Sequence, residues 1–167
     1  MNVQEATTRR LPDLKERHLP ENCRETINTI LKETYGYEQF RNLEIYDDLS
    51  KGKEKLCISQ GQLIENVILE AEKAWKGETQ VDNILLTAPT GSGKSLLFQL
   101  PAIYLGKEYN LLTIVVSPLK ALIVDQVESL QELGYTRVAY ASSDLSPEQK
   151  MEVYRQVREG AVSYTHL

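Results

Sequence analysis

The sequence predicts an α/β fold, a parallel sheet with helices on both faces, preceded by a short helical segment. Three observations carry this expectation. The runs 83–87 and 111–116 are almost continuously apolar, the pattern of strands buried on both sides. Stretches with apolar residues three and four positions apart lie between and after them, the pattern of helices. Polar loops at 88–95, 117–120 and 142–145 each follow an expected strand, and in parallel sheets such loops gather at the carboxyl edge, where ligands sit.

Residues 1–20 are polar, with Pro12 and Pro20, and read as a tail or linker. Ile27, Ile30 and Leu31 recur at helical spacing within 21–34, and Gly36 supplies the stop. Residues 36–60 mix aromatics, charges and the run Lys51-Gly-Lys-Glu-Lys55, and read as a solvated loop. A second helix is expected over 62–76, with Leu63, Val67, Ala71 and Ala74 along one stripe and Gly77 closing it. The first strand is expected at 83–87 and a helix at 95–105, with Pro101 bending or ending its first part. A strand at 111–116 precedes a helix over 119–133, with Leu122, Ile123, Val127 and Leu130 inward and Gly134 at its end. A third strand spans 137–141. Ser146-Pro147 opens another helix, with serine at the N-cap and proline at the first helical position. Residues 161–165 supply a fourth strand. The expected organisation is a tail at 1–20, a helical preface at 21–80 and the sheet-containing domain at 81–167.

Bulk composition narrows the function classes. The 167 residues are 41% hydrophobic and 26% charged, an ordinary globular balance, with a formal charge of -5. That charge argues against a surface that holds nucleic acid everywhere, while a local basic groove stays compatible with it. Cys23 and Cys57 stand 34 positions apart with no CxxC pair, and only His18 and His166 are further soft ligands. Neither a zinc site nor a disulfide framework is expected, and a cytoplasmic, reducing location is. No segment approaches the roughly 18 apolar residues of a membrane span, so no membrane insertion is expected.

The most informative stretch is Ala88-Pro-Thr-Gly-Ser-Gly-Lys-Ser95, too polar and flexible to pack yet set between two apolar segments. Polyphosphate needs many donors aimed at one point without intervening side chains. A glycine-rich turn running into a helix N-terminus provides them from its backbone N–H groups, and the helix dipole adds favourable charge. In this Walker A spacing Thr90, Gly91, Ser92 and Gly93 form the cradle, and Ala88 stands at the first glycine position. Lys94 reaches the β- and γ-phosphates and Ser95 ligates Mg²⁺. The pattern points to a P-loop site for a nucleoside triphosphate with Mg²⁺.

APTGSGKS, with LLFQLPAIYL and TIVVSPLKALIVDQVESLQELGY after it, resembles the superfamily 2 DNA helicases of RecQ-like type, over roughly residues 31–160 and most strongly over 83–134. The resemblance implies a RecA-like fold. It implies that Ser117, Leu119 and Lys120 of the Ser-Pro-Leu motif touch the backbone of single-stranded DNA, with RNA a less favoured substrate. It also implies adenine recognition by Tyr37 and Arg41 in Tyr35-Gly-Tyr-Glu-Gln-Phe-Arg41. The family glutamine should fall at position 44, where this chain has Glu44. Gln60 and Gln62 follow in SQGQLIENVI, and Gln62 is the favoured reader of adenine. Ser142-Ser-Asp144 is given no role beyond a turn.

Hydrolysis requires carboxylates that hold Mg²⁺ and orient water. In the family an Asp-Glu box supplies them, and none follows the Walker loop here, since Asp125 and Glu128 belong to a helix and Asp144 lacks a neighbouring glutamate. The expectation is therefore the first, incomplete RecA-like domain of a longer ATP-dependent DNA helicase, truncated before that box and not catalytically competent alone. A second RecA-like domain is expected in the intact chain, and the closing SYTHL departs from the family pattern. Another P-loop NTPase or kinase, or a non-catalytic module binding nucleotide or DNA, stays open from the residues alone.

Overall fold

The structure, a computed structural model, describes residues 16–46, 55–86 and 91–166. They form two compact units. The first holds the described residues up to Arg24 together with Gln39–Leu97, and the second holds Glu25–Glu38 together with the described residues from Phe98 onward.

Helix α1, Glu21–Tyr35, buries Ile27, Ile30 and Leu31 as their spacing predicts, and Gly36 stops it at a φ of +69° that a side chain would disfavour. Where the sequence reading expects a solvated loop, the first unit instead has an antiparallel pair, β1 (Asn42–Tyr46) and β2 (Lys55–Ser59), in register from Asn42↔Ser59 to Tyr46↔Lys55. The signal was a period of two in both segments, NLEIY and KLCIS, diluted by the charges around them.

Helix α2 follows directly over Gln60–Trp75, two residues earlier than expected, with the Ser59 hydroxyl accepting from the Gly61 N–H at its start. Its buried face also differs. Leu63 is buried, but Val67 and Ala71 are half-buried and Ala74 is exposed, while Ile64 and Ile68 are fully enclosed. Two isoleucines bury more apolar surface than two alanines, so the helix turns that side inward.

Of the strand expected at 83–87, residues 83–86 are irregular, with Leu85 92% exposed, and Thr87 lies outside the described residues. Apolar composition alone makes no strand; its backbone groups need a neighbouring ladder, and among the described residues these have none.

Helix α3, Leu96–Glu108, runs through Pro101 without ending there. The missing N–H leaves the Leu97 carbonyl without its usual helical partner. The continuation is held by burial, since Leu100, Ala102, Ile103 and Tyr104 are all enclosed.

The second unit contains the parallel sheet: β3 (Thr113–Val115), β4 (Val138–Tyr140) and β5 (Tyr164–His166), in the order β3-β5-β4. The last strand thus lies between the other two, with Thr113 and Val138 both opposite Tyr164. Helix α4, Lys120–Glu132, buries Ile123, Val127 and Leu130. Leu122, expected inward, is 48% exposed, because the stripe at positions i, i+4 and i+7 begins one residue later. Helix α5, Pro147–Arg158, starts with Ser146 and Gln149 capping one another's backbone, as the Ser-Pro-Glu-Gln signature predicts.

Two close approaches fix this unit. Gly106 on α3 faces Ser163, where a Cβ would stand 2.5 Å from the serine Cβ. The Arg137 guanidinium donates to the Gly106 and Gly160 carbonyls and to Asn110 Oδ1, tying α3 and two loops to the start of β4. No helix among the described residues is long and apolar enough to cross a membrane.

Candidate functional site

The described part of the Walker loop, Gly91–Ser95, is a turn that leads straight into α3. Gly91 and Gly93 both have φ of +80°, conformations that L side chains rarely adopt. The Leu96 N–H donates to the Gly93 carbonyl at 3.3 Å and the Leu97 N–H to the Lys94 carbonyl at 3.0 Å, so the helix begins within the loop itself. Lys94 and Ser95 are half-buried at this N-terminus. Ser92 Oγ is enclosed and has no hydrogen-bond partner among the described residues. Thr90 lies outside the described residues. The arrangement fits an anion: a helix N-terminus, two residues of positive φ, and a lysine and a hydroxyl at the first turn.

Gln60, the first residue of α2, is 2% exposed and reaches this loop. Its Oε1 accepts from the Arg41 backbone N–H at 3.1 Å, and its own N–H donates to the Arg41 carbonyl at 2.9 Å. Its Nε2 is shared between the carbonyls of Ser92 and Gly93, 3.4 Å from each. The next residue, Gly61, lies under the Phe40 ring, where a Cβ would meet Cδ2 at 2.6 Å. Phe40 and Arg41 are thereby seated on the start of α2, and the same turn of helix carries the Walker loop.

Among the residues assigned to adenine recognition, the Arg41 side chain is exposed. Tyr37, in the other unit, is 50% exposed and stacks on Tyr35 with ring centroids 6.4 Å apart. Gln62 is half-buried on the first turn of α2. Glu44, at the position the family pattern reserves for glutamine, lies on β1 and pairs with Lys55 at 3.1 Å.

In the second unit, Ser117, Leu119 and Lys120 lead from β3 into α4. Ser117 Oγ accepts from the Leu119 N–H at 3.4 Å, and Leu119 is the N-cap residue, its side chain exposed. Lys120 Nζ pairs with Asp144 Oδ1 at 2.6 Å, and that contact holds the Asp144 carboxyl below its ordinary range. Two of the three loops that the sequence reading gathers at one sheet edge, 117–120 and 142–145, thus meet. The sequence reading names Gln60 only beside the favoured Gln62, and it takes Asp144 for a turn residue because its partner is 24 positions away. No group of three or more potential metal-ligating side chains occurs among the described residues.

The topology, the loop at the start of α3 and the motif after β3 together define a P-loop α/β domain. The chain belongs to the DEAD/DEAH box helicase family, which matches residues 60–165 and carries the RecA-like P-loop fold and use of a nucleotide. It is similar to the ATP-dependent DNA helicase RecQ of Synechocystis, 32% identical over 132 residues that make up 79% of this chain and 21% of that protein. It is also similar to RecQ of Bacillus subtilis, 31% identical over 139 residues, 83% of this chain and 18% of the other. ATP-dependent DNA helicase Q4 of Mus musculus is 41% identical over 78 residues, 47% of this chain and 6% of that protein. The RecQ-like resemblance is borne out, and the chain spans about a fifth or less of these curated relatives.

Proposed function

We propose that this chain is the nucleotide-binding front of an ATP-dependent DNA helicase, in which binding and hydrolysis of ATP move single-stranded DNA through the intact protein. One observation carries the reading: the turn Gly91–Ser95, with two residues of positive φ, opens directly into α3. In this reading Thr90 to Gly93 surround the phosphates with backbone N–H groups, Lys94 balances the charge on the β- and γ-phosphates, and the Ser95 hydroxyl holds Mg²⁺. The metal, when bound, neutralises charge that develops during phosphoryl transfer. Tyr37 and Arg41 stack on adenine and Gln62 reads its edge. Ser117, Leu119 and Lys120 contact DNA phosphates, which positions a strand without reading its sequence. A second RecA-like domain and an Asp-Glu box complete hydrolysis in the intact protein, so the 167-residue chain binds ATP without turning it over.

The test is a titration of the chain with ATP·Mg²⁺ beside Lys94→Ala, with hydrolysis followed in parallel, with and without single-stranded DNA. The expected result is saturable binding, at least ten-fold weaker in the variant, with no turnover. Robust hydrolysis by this chain would favour a kinase-like or other P-loop activity, and absence of binding would remove the nucleotide reading.

A further inference from the structure

Tyr35, the last residue of α1, is held both by its hydroxyl and by its ring. The hydroxyl donates to Gln99 Oε1 at 3.4 Å, and Gln99 Nε2 donates to Gln126 Oε1 at 2.7 Å. Gln99 is 5% exposed, so both halves of its amide are committed inside the protein. Burial pushes the Tyr35 phenol above its ordinary range, so it stays protonated and remains a donor. The hydroxyl is thereby tied to α3 through Gln99 and, one amide further, to α4 through Gln126. All three residues lie in the second unit, as does Tyr37.

The ring of Tyr35 carries that of Tyr37. The two planes are 14° from parallel with centroids 6.4 Å apart, an offset stack. The backbone between them is fixed as well: the Gly36 N–H donates to the Lys32 carbonyl at 3.0 Å, and the Tyr37 N–H to the Leu31 carbonyl at 3.4 Å. Tyr37 nevertheless stays 50% exposed. An exposed aromatic with nothing beside it samples several rotamers, and a planar ligand that stacks on it must select one. Here the backbone is pinned and a neighbouring ring is already parallel. The ordering is done before a ligand arrives, and its cost is not subtracted from binding.

We propose that Tyr35 is a positioning residue for base recognition: locked to Gln99 through its hydroxyl, it holds the Tyr37 ring in one orientation, with the exposed part of that ring ready to stack on the base of a nucleoside triphosphate. The proposal rests on the reading of Tyr37 as the base-stacking residue, and it adds a residue that acts only through Tyr37.

The experiment measures the affinity of the 167-residue chain for ATP·Mg²⁺ and for inorganic tripolyphosphate with Mg²⁺, which offers the phosphates without the base. Tyr35→Leu removes the ring, Tyr35→Phe removes only the hydroxyl, and each is made alone and together with Tyr37→Ala. The expected result is ATP affinity weaker by about five- to ten-fold in Tyr35→Leu and about two- to three-fold in Tyr35→Phe, with tripolyphosphate affinity unchanged in both. Tyr37→Ala alone should weaken ATP binding about ten-fold, and beside it neither Tyr35 change should cost anything more. Damage to the fold would weaken both ligands and would persist without Tyr37. Phenylalanine is the change that disturbs packing least, so a loss confined to ATP in that variant supports the proposal whatever leucine does. Support requires an ATP-specific loss in at least one Tyr35 variant that vanishes beside Tyr37→Ala; any other pattern overturns the proposal while the nucleotide reading stands. Wild-type ATP affinity in Tyr37→Ala removes the base-stacking reading and the proposal together, and no ATP binding by the wild-type chain removes the nucleotide reading as well.

Discussion

Glu70 is a charged residue held in the interior of the first unit, 4% exposed on the buried side of α2. Burial alone would raise its pKa. The Asp82 N–H at 2.9 Å, the Arg17 guanidinium at 2.6 Å and the Lys73 ammonium at 3.1 Å outweigh that and hold it down at about 2, against an ordinary 4.5. A carboxyl depressed in the folded state contributes stability above its unfolded pKa, and that contribution is lost as the pH falls toward the folded value. The difference corresponds to about 3 kcal/mol at neutral pH, an upper limit for an interaction shared among three partners. Denaturant unfolding of wild type should lose about 2 kcal/mol more between pH 5 and pH 3 than Glu70→Gln does, while the variant is the less stable protein at pH 7. Parallel pH curves for the two would assign the acid sensitivity to other groups.

Elements were legible wherever a local signature was complete within the segment itself. The Ser146-Pro147-Glu148-Gln149 start of α5 is such a case, since the cap is complete within four residues and needs nothing from elsewhere. Helix α5 has no buried residues, so its start depends on that cap more than on packing. Ser146→Ala should cost about 1 kcal/mol in thermal or denaturant unfolding of the unit, and Gln149→Ala less, whereas a change below about 0.3 kcal/mol for both would mean that the cap is idle. Illegible features depended on distant partners. The pair β1 and β2 carries its alternation in five residues each, and the ladder of each strand needs the other. Residues 83–86, the described part of the expected strand, are apolar in composition and have no ladder. The position of β5 between β3 and β4 follows from tertiary pairing, which no local pattern encodes. The candidate site divides the same way: the spacing from Gly91 to Ser95 is readable in the chain, whereas the hold of Gln60 on the loop needs residues 19 and 32–33 positions away.

At the scale of the whole molecule, the proposed helicase reading requires an acidic chain with a net charge of -5 to meet a polyanion through a few local cations. Lys120 is the cation at the β3–α4 loop, and in this structure it is paired with Asp144, two exposed groups in contact at 2.6 Å. Exposed pairs of this kind are weak, so a phosphate can displace the carboxylate, but each binding event then competes with it. Neutralising Asp144 should therefore strengthen binding of single-stranded DNA, two- to five-fold at about 50 mM salt for Asp144→Asn, with the gain fading as salt rises. Lys120→Ala should act in the opposite sense, weakening binding for all sequences alike and lowering the slope of log affinity against log salt by about 0.7, the share of one phosphate contact on a single strand. Fluorescence anisotropy of a labelled oligonucleotide across a salt series measures both quantities at once. In the double variant the Asp144→Asn gain should vanish, because the carboxylate acts only by occupying the lysine; a gain that survives without Lys120 would mean that Asp144 repels DNA directly and that the loop contact lies elsewhere on this sheet edge.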